Sequence, residues 1–153
     1  MIVEHGTLVV AADGGGALVY RNASHGGAAE LELVETHDAH HASFTREAHP
    51  EKHEPYAAPS GGRTAIAGHD HHEQAEREFA KRLATRLDEL IGAHVHGKEQ
   101  PGLVVFATPR FLGMIRQDYS ARIKAALKAE IGKDMREADR KQIEHALTAA
   151  DPT

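Results

Sequence analysis

Residues 102–113 read GLVVFATPRFLG, and this stretch decides the fold class. Its first half, GLVVFA, is a continuous apolar run, which is typical of a strand covered on both faces by helices. Thr108 follows as a helix N-cap, and Pro109 stands at the first helical position, where its missing N–H costs nothing. A buried strand that leads directly into a helix predicts an α/β fold.

Three strands are predicted before this unit. TLVVAA (7–12) and ALVYRNA (17–23) flank DGGG (13–16), whose glycines can adopt the positive φ angles that a tight hairpin needs. In AELELVETH (29–37), apolar and acidic residues alternate as in a strand with one solvent-exposed face.

Helices and one further strand complete the expected fold. A helix is predicted over 70–92, with Asp70 and Glu73 as a capping box and one stripe of apolar side chains. The helix that starts at Thr108 is expected to end near Ala125, before an edge strand. The segment 136–150 predicts a last helix, anchored by Ile143 and Leu147. We therefore expect one α/β domain over residues 1–150, with a mixed sheet of about five strands and helices packed on it.

The tract between the third strand and the first helix has no periodicity. Prolines and glycines punctuate it, and SGGRTAIAGHDHHEQAE (60–76) leads out of it. The sequence predicts a long, flexible His/Pro/Gly-rich loop at about residues 38–69, and loops of that length usually have a function.

Composition restricts the classes of protein. The net charge is −5 and the pI about 6.2, although residues 110–141 hold nine Lys/Arg against five Asp/Glu, so this third could still meet phosphate. The chain has no cysteine, which excludes disulfides and thiolate metal sites. The sequence has neither a signal-peptide pattern nor an apolar run of about 20 residues. We expect a cytoplasmic protein with no membrane partner.

Histidines are the first candidate site. Eight of the 13 lie between His37 and His72, and His69, His71 and His72 are the densest group. Because no HExxH motif fixes their convergence, we expect adventitious affinity for divalent metals rather than a dedicated cofactor. Other chemistry is less supported: Ser60 and Thr64 lack a GxSxG elbow, and the nearby carboxylates of the helix face different directions.

The start of the helix after GLVVFA is the second candidate site. Ligands gather beyond the carboxyl ends of strands in open α/β sheets, and free N–H groups of a helix N-terminus favour anions. Arg110 stands in that first turn, where a cation opposes the helix dipole. Either an anion binds there, or Arg110 pairs with a neighbouring acid or reaches solvent. The glycines at 14–16 and 61–62 are not expected to form phosphate loops, because no helix is predicted directly after them.

Assembled in order, these segments resemble the bacterial host attachment protein family. The matching stretches cover nearly the whole chain outside the 37–68 tract: LVVAADGGGALVYRN (8–22), HEQAEREFAKRLATRL (72–87), GLVVFATPRFLGMIR (102–116) and EIGKDM (130–135). That family in turn resembles the middle domain of archaeal and eukaryotic class I release factors, which implies an RNase H-like fold. In those factors a loop carries a Gly-Gly-Gln that assists peptidyl-tRNA hydrolysis. Here the corresponding loop reads Gly61, Gly62 and Arg63, and the glutamine is absent.

The resemblance implies a non-enzymatic binding domain that meets the ribosome or tRNA, with an indirect role in attachment to host cells. The candidate binding residues are Gly61, Gly62, Arg63, Arg110 and Arg116. The alternative is a hydrolase, translation-linked or metal-assisted, that uses the 60–72 loop. The expected edge strands are also compatible with a homodimer.

Overall fold

The computed structural model describes residues 1–40 and 64–150, with side chains from residue 72 onward in the second segment. Within these residues lie five strands, four α-helices and one 3-10 turn at Arg116–Asp118. The strands are β1 (Leu8–Asp13), β2 (Gly16–Asn22), β3 (Leu31–Asp38), β4 (Leu103–Ala107) and β5 (Leu127–Ile131). The helices are α1 (Thr64–Ala93), α2 (Pro109–Ile115), α3 (Ala121–Ala126) and α4 (Arg140–Ala149).

The strands form one mixed sheet in the order β3-β2-β1-β4-β5. β1 pairs antiparallel with β2 and parallel with β4, β2 pairs antiparallel with β3, and β4 pairs parallel with β5. All five β4 residues are buried, which confirms the covered strand. The predicted α/β class with a five-stranded mixed sheet is also confirmed.

Both faces of the sheet are packed, because successive side chains of a strand point to opposite faces. Leu8 and Val10 of β1 join the core beneath α1, α2 and α3, whereas Val9 and Ala11 join the core beneath α4. The α1 stripe is buried at Phe79, Leu83, Leu87 and Ile91. The α4 anchors predicted at Ile143 and Leu147 are both fully buried.

Helix boundaries differ from the expectations in three places. α1 begins at Thr64, so residues 64–69 are helical rather than loop, and Asp70 lies inside the helix instead of capping it. The second helical region is interrupted after Ile115, and a new helix starts at Ala121, capped by Ser120, whose Oγ accepts from the N–H of Ile123. α4 starts at Arg140 instead of 136, because Asp139 forms a capping box with Gln142.

The turn between β1 and β2 also has a different cause from the one expected. Among the described residues, the glycines with positive φ are Gly6, Gly27 and Gly97, so the DGGG turn does not use a left-handed backbone. It is instead an Asx-type turn, since Asp13 Oδ1 accepts from the N–H groups of Gly15 at 2.8 Å and Gly16 at 3.1 Å. Glycine is required for space: a Cβ on Gly16 would lie 2.6 Å from the carbonyl oxygen of His37.

An ion pair between Glu35 and Arg86 ties the edge strand β3 to α1. Arg86 donates from Nε to Glu35 Oε2 at 2.9 Å and from Nη2 to Oε1 at 3.0 Å, and His37 Nε2 lies 2.7 Å from the same carboxylate. Burial alone would raise the pKa of Glu35, but the hydrogen bonds from Arg86 and His37 outweigh it and lower that pKa. The charged form of Glu35 therefore stabilises the fold.

We expect Glu35→Gln to remove this stabilisation, about 1–2 kcal/mol at pH 7. A lowered folded-state pKa gives stability that is present above the ordinary value of 4.5 and lost as the pH falls through the folded-state value. Urea unfolding between pH 3 and 7 should show the variant and the parent converging at the acid end. A constant difference across this range would contradict the assignment.

In the described segments, no helix combines the length and the apolar composition needed to cross a membrane. The exposed edge at β3 carries Leu33, 54% exposed, and Val34, 38% exposed.

Candidate functional site at the carboxyl edge of the sheet

Four strands deliver their carboxyl ends to one edge of the sheet. β1, β4 and β5 are parallel to one another. β3 runs in the same direction, because β1 and β3 are both antiparallel to β2, which lies between them. The first turns of α2, the DGGG turn and the segment after β5 all lie at this edge. In open α/β sheets this is where ligands bind.

Asp13, at the end of β1, is the acidic centre of this edge. Its Oδ1 accepts the hydrogen bonds from the N–H groups of Gly15 and Gly16. The same oxygen lies 2.8 Å from Nε of Arg136, in the segment after β5. Within the described residues this buried Nε–H has no aligned acceptor, so the contact is an ion pair rather than a well-formed hydrogen bond. The Arg136 guanidinium also lies against the turn, where a Cβ on Gly15 or Gly16 would come within 3.2 or 2.8 Å of its nitrogens.

Glu76 and Arg110 form the second ion pair at this edge. Arg110 Nη1 donates to Glu76 Oε1 at 2.5 Å, and Glu73 lies 4.0 Å from Nη2. The Glu76 carboxylate is packed directly over Gly14, so a Cβ at that position would collide with it. Arg110 therefore has a carboxylate partner, the second of the two arrangements that the sequence left open. Its side chain is nevertheless 57% exposed, whereas that of Glu76 is 17% exposed.

We use the name carboxyl-edge site for Asp13, Glu76, Arg110 and Arg136. It contains two carboxylates and two guanidinium groups in two ion pairs around a glycine turn. Its chemistry is that of oxyanion recognition, because each arginine could exchange its carboxylate for another oxyanion.

Arg116 belongs to a separate cluster with β5. Its Nε donates to Glu130 Oε1 at 2.9 Å, and Tyr119 donates its hydroxyl to Glu130 Oε2 at 2.8 Å. Burial, followed by the hydrogen bond to Glu130, raises the pKa of Tyr119 well above its ordinary value. The hydrogen bond that Arg116 donates to Glu130 likewise raises the pKa of Arg116. These contacts fasten the 3-10 turn to the edge strand.

Several predicted site residues cannot be placed in this geometry. Gly61, Gly62 and Arg63 lie outside the described residues. His69 and His71 lie on α1, but their side chains are also outside the description. His72 is exposed, and its ring centroid is 6.0 Å from that of His40. Among the described side chains, no three His, Asp or Glu residues are placed to hold a metal ion.

Sequence reasoning missed three members of the carboxyl-edge site, Asp13, Glu76 and Arg136. Asp13 was interpreted only as part of a turn, and Glu76 only as a helix-surface carboxylate. The available signal was the position of Asp13 at the end of a buried strand, where a charged side chain faces the ligand edge of an α/β sheet.

The sheet order and the long helix that follows β3 agree with an α/β domain of the release-factor type. The chain belongs to the bacterial archaeo-eukaryotic release factor family 12, whose family model matches residues 6–147. No curated protein matches it. The release-factor part of the resemblance is therefore confirmed, while the family description makes no reference to attachment to host cells.

Proposed function

We propose that the protein is a non-enzymatic, cytoplasmic binding domain that contacts RNA of the translation machinery, ribosomal RNA or tRNA, through its carboxyl-edge site. The observation that carries the proposal is the half-exposed guanidinium of Arg110 at the carboxyl edge of a release-factor-family domain. Fold alone is a weak warrant for function, whereas an exposed guanidinium is a group that binds phosphate.

The Glu76–Arg110 ion pair is compatible with exchange for a phosphate. Exposed ion pairs stabilise proteins by about 0–1 kcal/mol, and arginine binds phosphate through two parallel N–H groups. A phosphate that approaches from solvent meets Arg110 before Glu76, because the carboxylate is the more buried of the two. Glu76 then acts as a competitor that keeps Arg110 in position while the site is empty.

The long helix supports a contact of larger extent. Glu76 lies twelve residues after Thr64, which corresponds to about 18 Å of helix. The first turns of α1 therefore extend beyond the sheet edge, and the sequence places Gly61, Gly62 and Arg63 directly before them. Because this tract has arginine where release factors have glutamine, binding is favoured over peptidyl-tRNA hydrolysis.

Two further roles belong to the proposal. Any part in attachment to host cells would be indirect, through an effect on translation. The histidines from His69 to His72 would take up divalent metal ions adventitiously, so chelation should not change ribosome binding.

Co-sedimentation of the purified protein with ribosomes, at low and moderate salt, tests the proposal. We expect salt-sensitive binding that Arg110→Ala weakens, with the slope of log affinity against log salt falling by about one. Glu76→Gln should act in the opposite direction and tighten binding about twofold to fivefold, because it frees Arg110.

Arg122→Ala is the matched control. Arg122 is also a half-exposed arginine paired with an α1 carboxylate, Asp88, at 3.5 Å. It contacts α1 near Gly92, about 24 Å along the helix from Glu76. Absence of binding at both salt concentrations, or equal losses in Arg110→Ala and Arg122→Ala, would refute the proposal.

A further inference from the structure

A second concave site lies at the opposite edge of the sheet. A groove of about 830 Å³ is bounded by the segment before β1, the loop after β2 and the connection between α1 and β4. This volume lies within the range of pockets for small organic ligands, roughly 300–1,000 Å³. None of the carboxyl-edge residues lines it.

One wall of the groove combines an arginine with two stacked imidazoles. The rings of His5 and His25 are parallel within 13°, with centroids 3.9 Å apart. Arg21 Nη2 lies 3.5 Å from His5 Nε2, a long contact in which the N–H can donate only to an unprotonated ring nitrogen. Among the described residues Arg21 forms no ion pair, so its charge is available to a ligand.

The other wall carries two more histidines. His94 Nδ1 donates to the carbonyl oxygen of Leu90 at 2.8 Å, so Nε2 is the ring nitrogen that can contact a ligand. His96 begins a turn closed by backbone hydrogen bonds to Glu99 at 2.8 and 2.9 Å, with Gly97 at a φ of +64°.

The first wall is held by a buried amide. Asn22 is fully buried, and its Nδ2 donates to the carbonyl oxygens of Val3 and Glu4 at 3.1 and 3.2 Å. Its Oδ1 accepts from the N–H groups of Ser24 and Glu30 at 3.1 and 3.0 Å. These four bonds fix the two segments that carry His5 and His25, so the stacked pair is preorganised.

The charge of the groove depends on pH. Glu4 and Glu99 place carboxylates on the lining, Arg21 places a guanidinium there, and His5, His25, His94 and His96 place imidazoles on both walls. Each imidazole that gains a proton adds a positive charge. Stacked imidazolium ions repel each other, so an anion bound between the walls favours protonation of both His5 and His25.

We propose that this groove binds a small phosphate monoester, and that His5 and His25 take up protons when it does. A phosphate oxyanion satisfies the Arg21 guanidinium and the imidazole N–H groups together, and the remaining volume accommodates the organic group. A metal ion is a poorer occupant, since no three ligands converge among the described side chains. The proposal does not depend on RNA binding at the other edge.

Isothermal titration calorimetry with phenyl phosphate tests it on the intact chain. We expect binding about threefold to fivefold tighter at pH 6.5 than at pH 8.0, because a protonated imidazole attracts the phosphate more strongly than a neutral one. At pH 6.5 the heat should differ between buffers of unequal ionisation enthalpy, which reports proton uptake.

Two variants and one control locate the site. Arg21→Gln should abolish binding, and His25→Gln, at an exposed loop position, should reduce proton uptake by about half without affecting the fold. Arg77→Gln is the control, because Arg77 is an exposed arginine on α1 outside the groove. Binding that is independent of pH, that involves no proton uptake, or that survives in Arg21→Gln as in Arg77→Gln would overturn the proposal.

Discussion

Phe106→Ala should lower the free energy of unfolding by about 3–5 kcal/mol, the range measured for large-to-small changes at buried aromatics. Phe106 is fully buried in β4, between Ala11 of β1 and Ile131 of β5 in the register of the sheet. It packs in the core beneath α4, together with Ile143 and Leu147. Small neighbours such as Ala11 cannot expand into the space, so a cavity would remain.

Urea unfolding monitored by circular dichroism measures this effect. Leu33→Ala is the matched control, since Leu33 is 54% exposed on the edge strand and its loss should cost no more than about 0.5 kcal/mol. A loss below about 1.5 kcal/mol would mean that the two cores of the sheet are less tightly packed than this register indicates.

Elements whose pattern reflects burial could be predicted from the sequence. GLVVFA forms a strand between β1 and β5 that is buried on both faces. A short apolar run without a charged residue is typical of such a strand. Ile143 and Leu147 are one helical turn apart, and both are buried. Thr108 accepts from the N–H of Phe111 at 3.2 Å, as the N-cap pattern predicts.

Features that depend on distant partners could not be predicted in the same way. Asp70 and Glu73 have the spacing of a capping box, yet α1 starts six residues earlier, at Thr64. A local sequence pattern can indicate where a helix could start, but it does not exclude a helix start earlier in the chain. In the carboxyl-edge site, the Glu76–Arg110 pair joins residues 34 apart in sequence, and no short-range spacing reports such a pair.

The histidines illustrate the same limit. The sequence draws attention to the dense group from His69 to His72, whereas His5 and His25 are stacked in space although they are far apart in sequence. Density along the chain is not convergence, because neighbouring side chains of a helix or loop point in different directions. The groove becomes visible only when the hydrogen bonds of Asn22 bring the two segments together.

Asn22→Ala is expected to lower the free energy of unfolding by about 3 kcal/mol. The substitution removes four hydrogen bonds and leaves the N–H groups of Ser24 and Glu30 and two carbonyl oxygens without their partner, each in a buried or half-buried position. Gln117→Ala is the control, because Gln117 is an exposed amide with one long bond of 3.4 Å to Gly113. Urea unfolding of both variants gives the comparison.

Asn22→Asp separates the two halves of this network. Aspartate keeps an acceptor for Ser24 and Glu30, but its second oxygen faces the carbonyl oxygens of Val3 and Glu4 and can bond them only when protonated. Its folded-state pKa should therefore lie above the ordinary value of about 3.9. The penalty would be largest above that raised pKa and would be relieved as the pH falls through it. As the pH falls from 8 to 5, the free energy of unfolding of the variant should thus approach that of the parent. A difference that widens toward pH 5 would show that the two hydrogen bonds donated by Asn22 Nδ2 are not what holds the two segments.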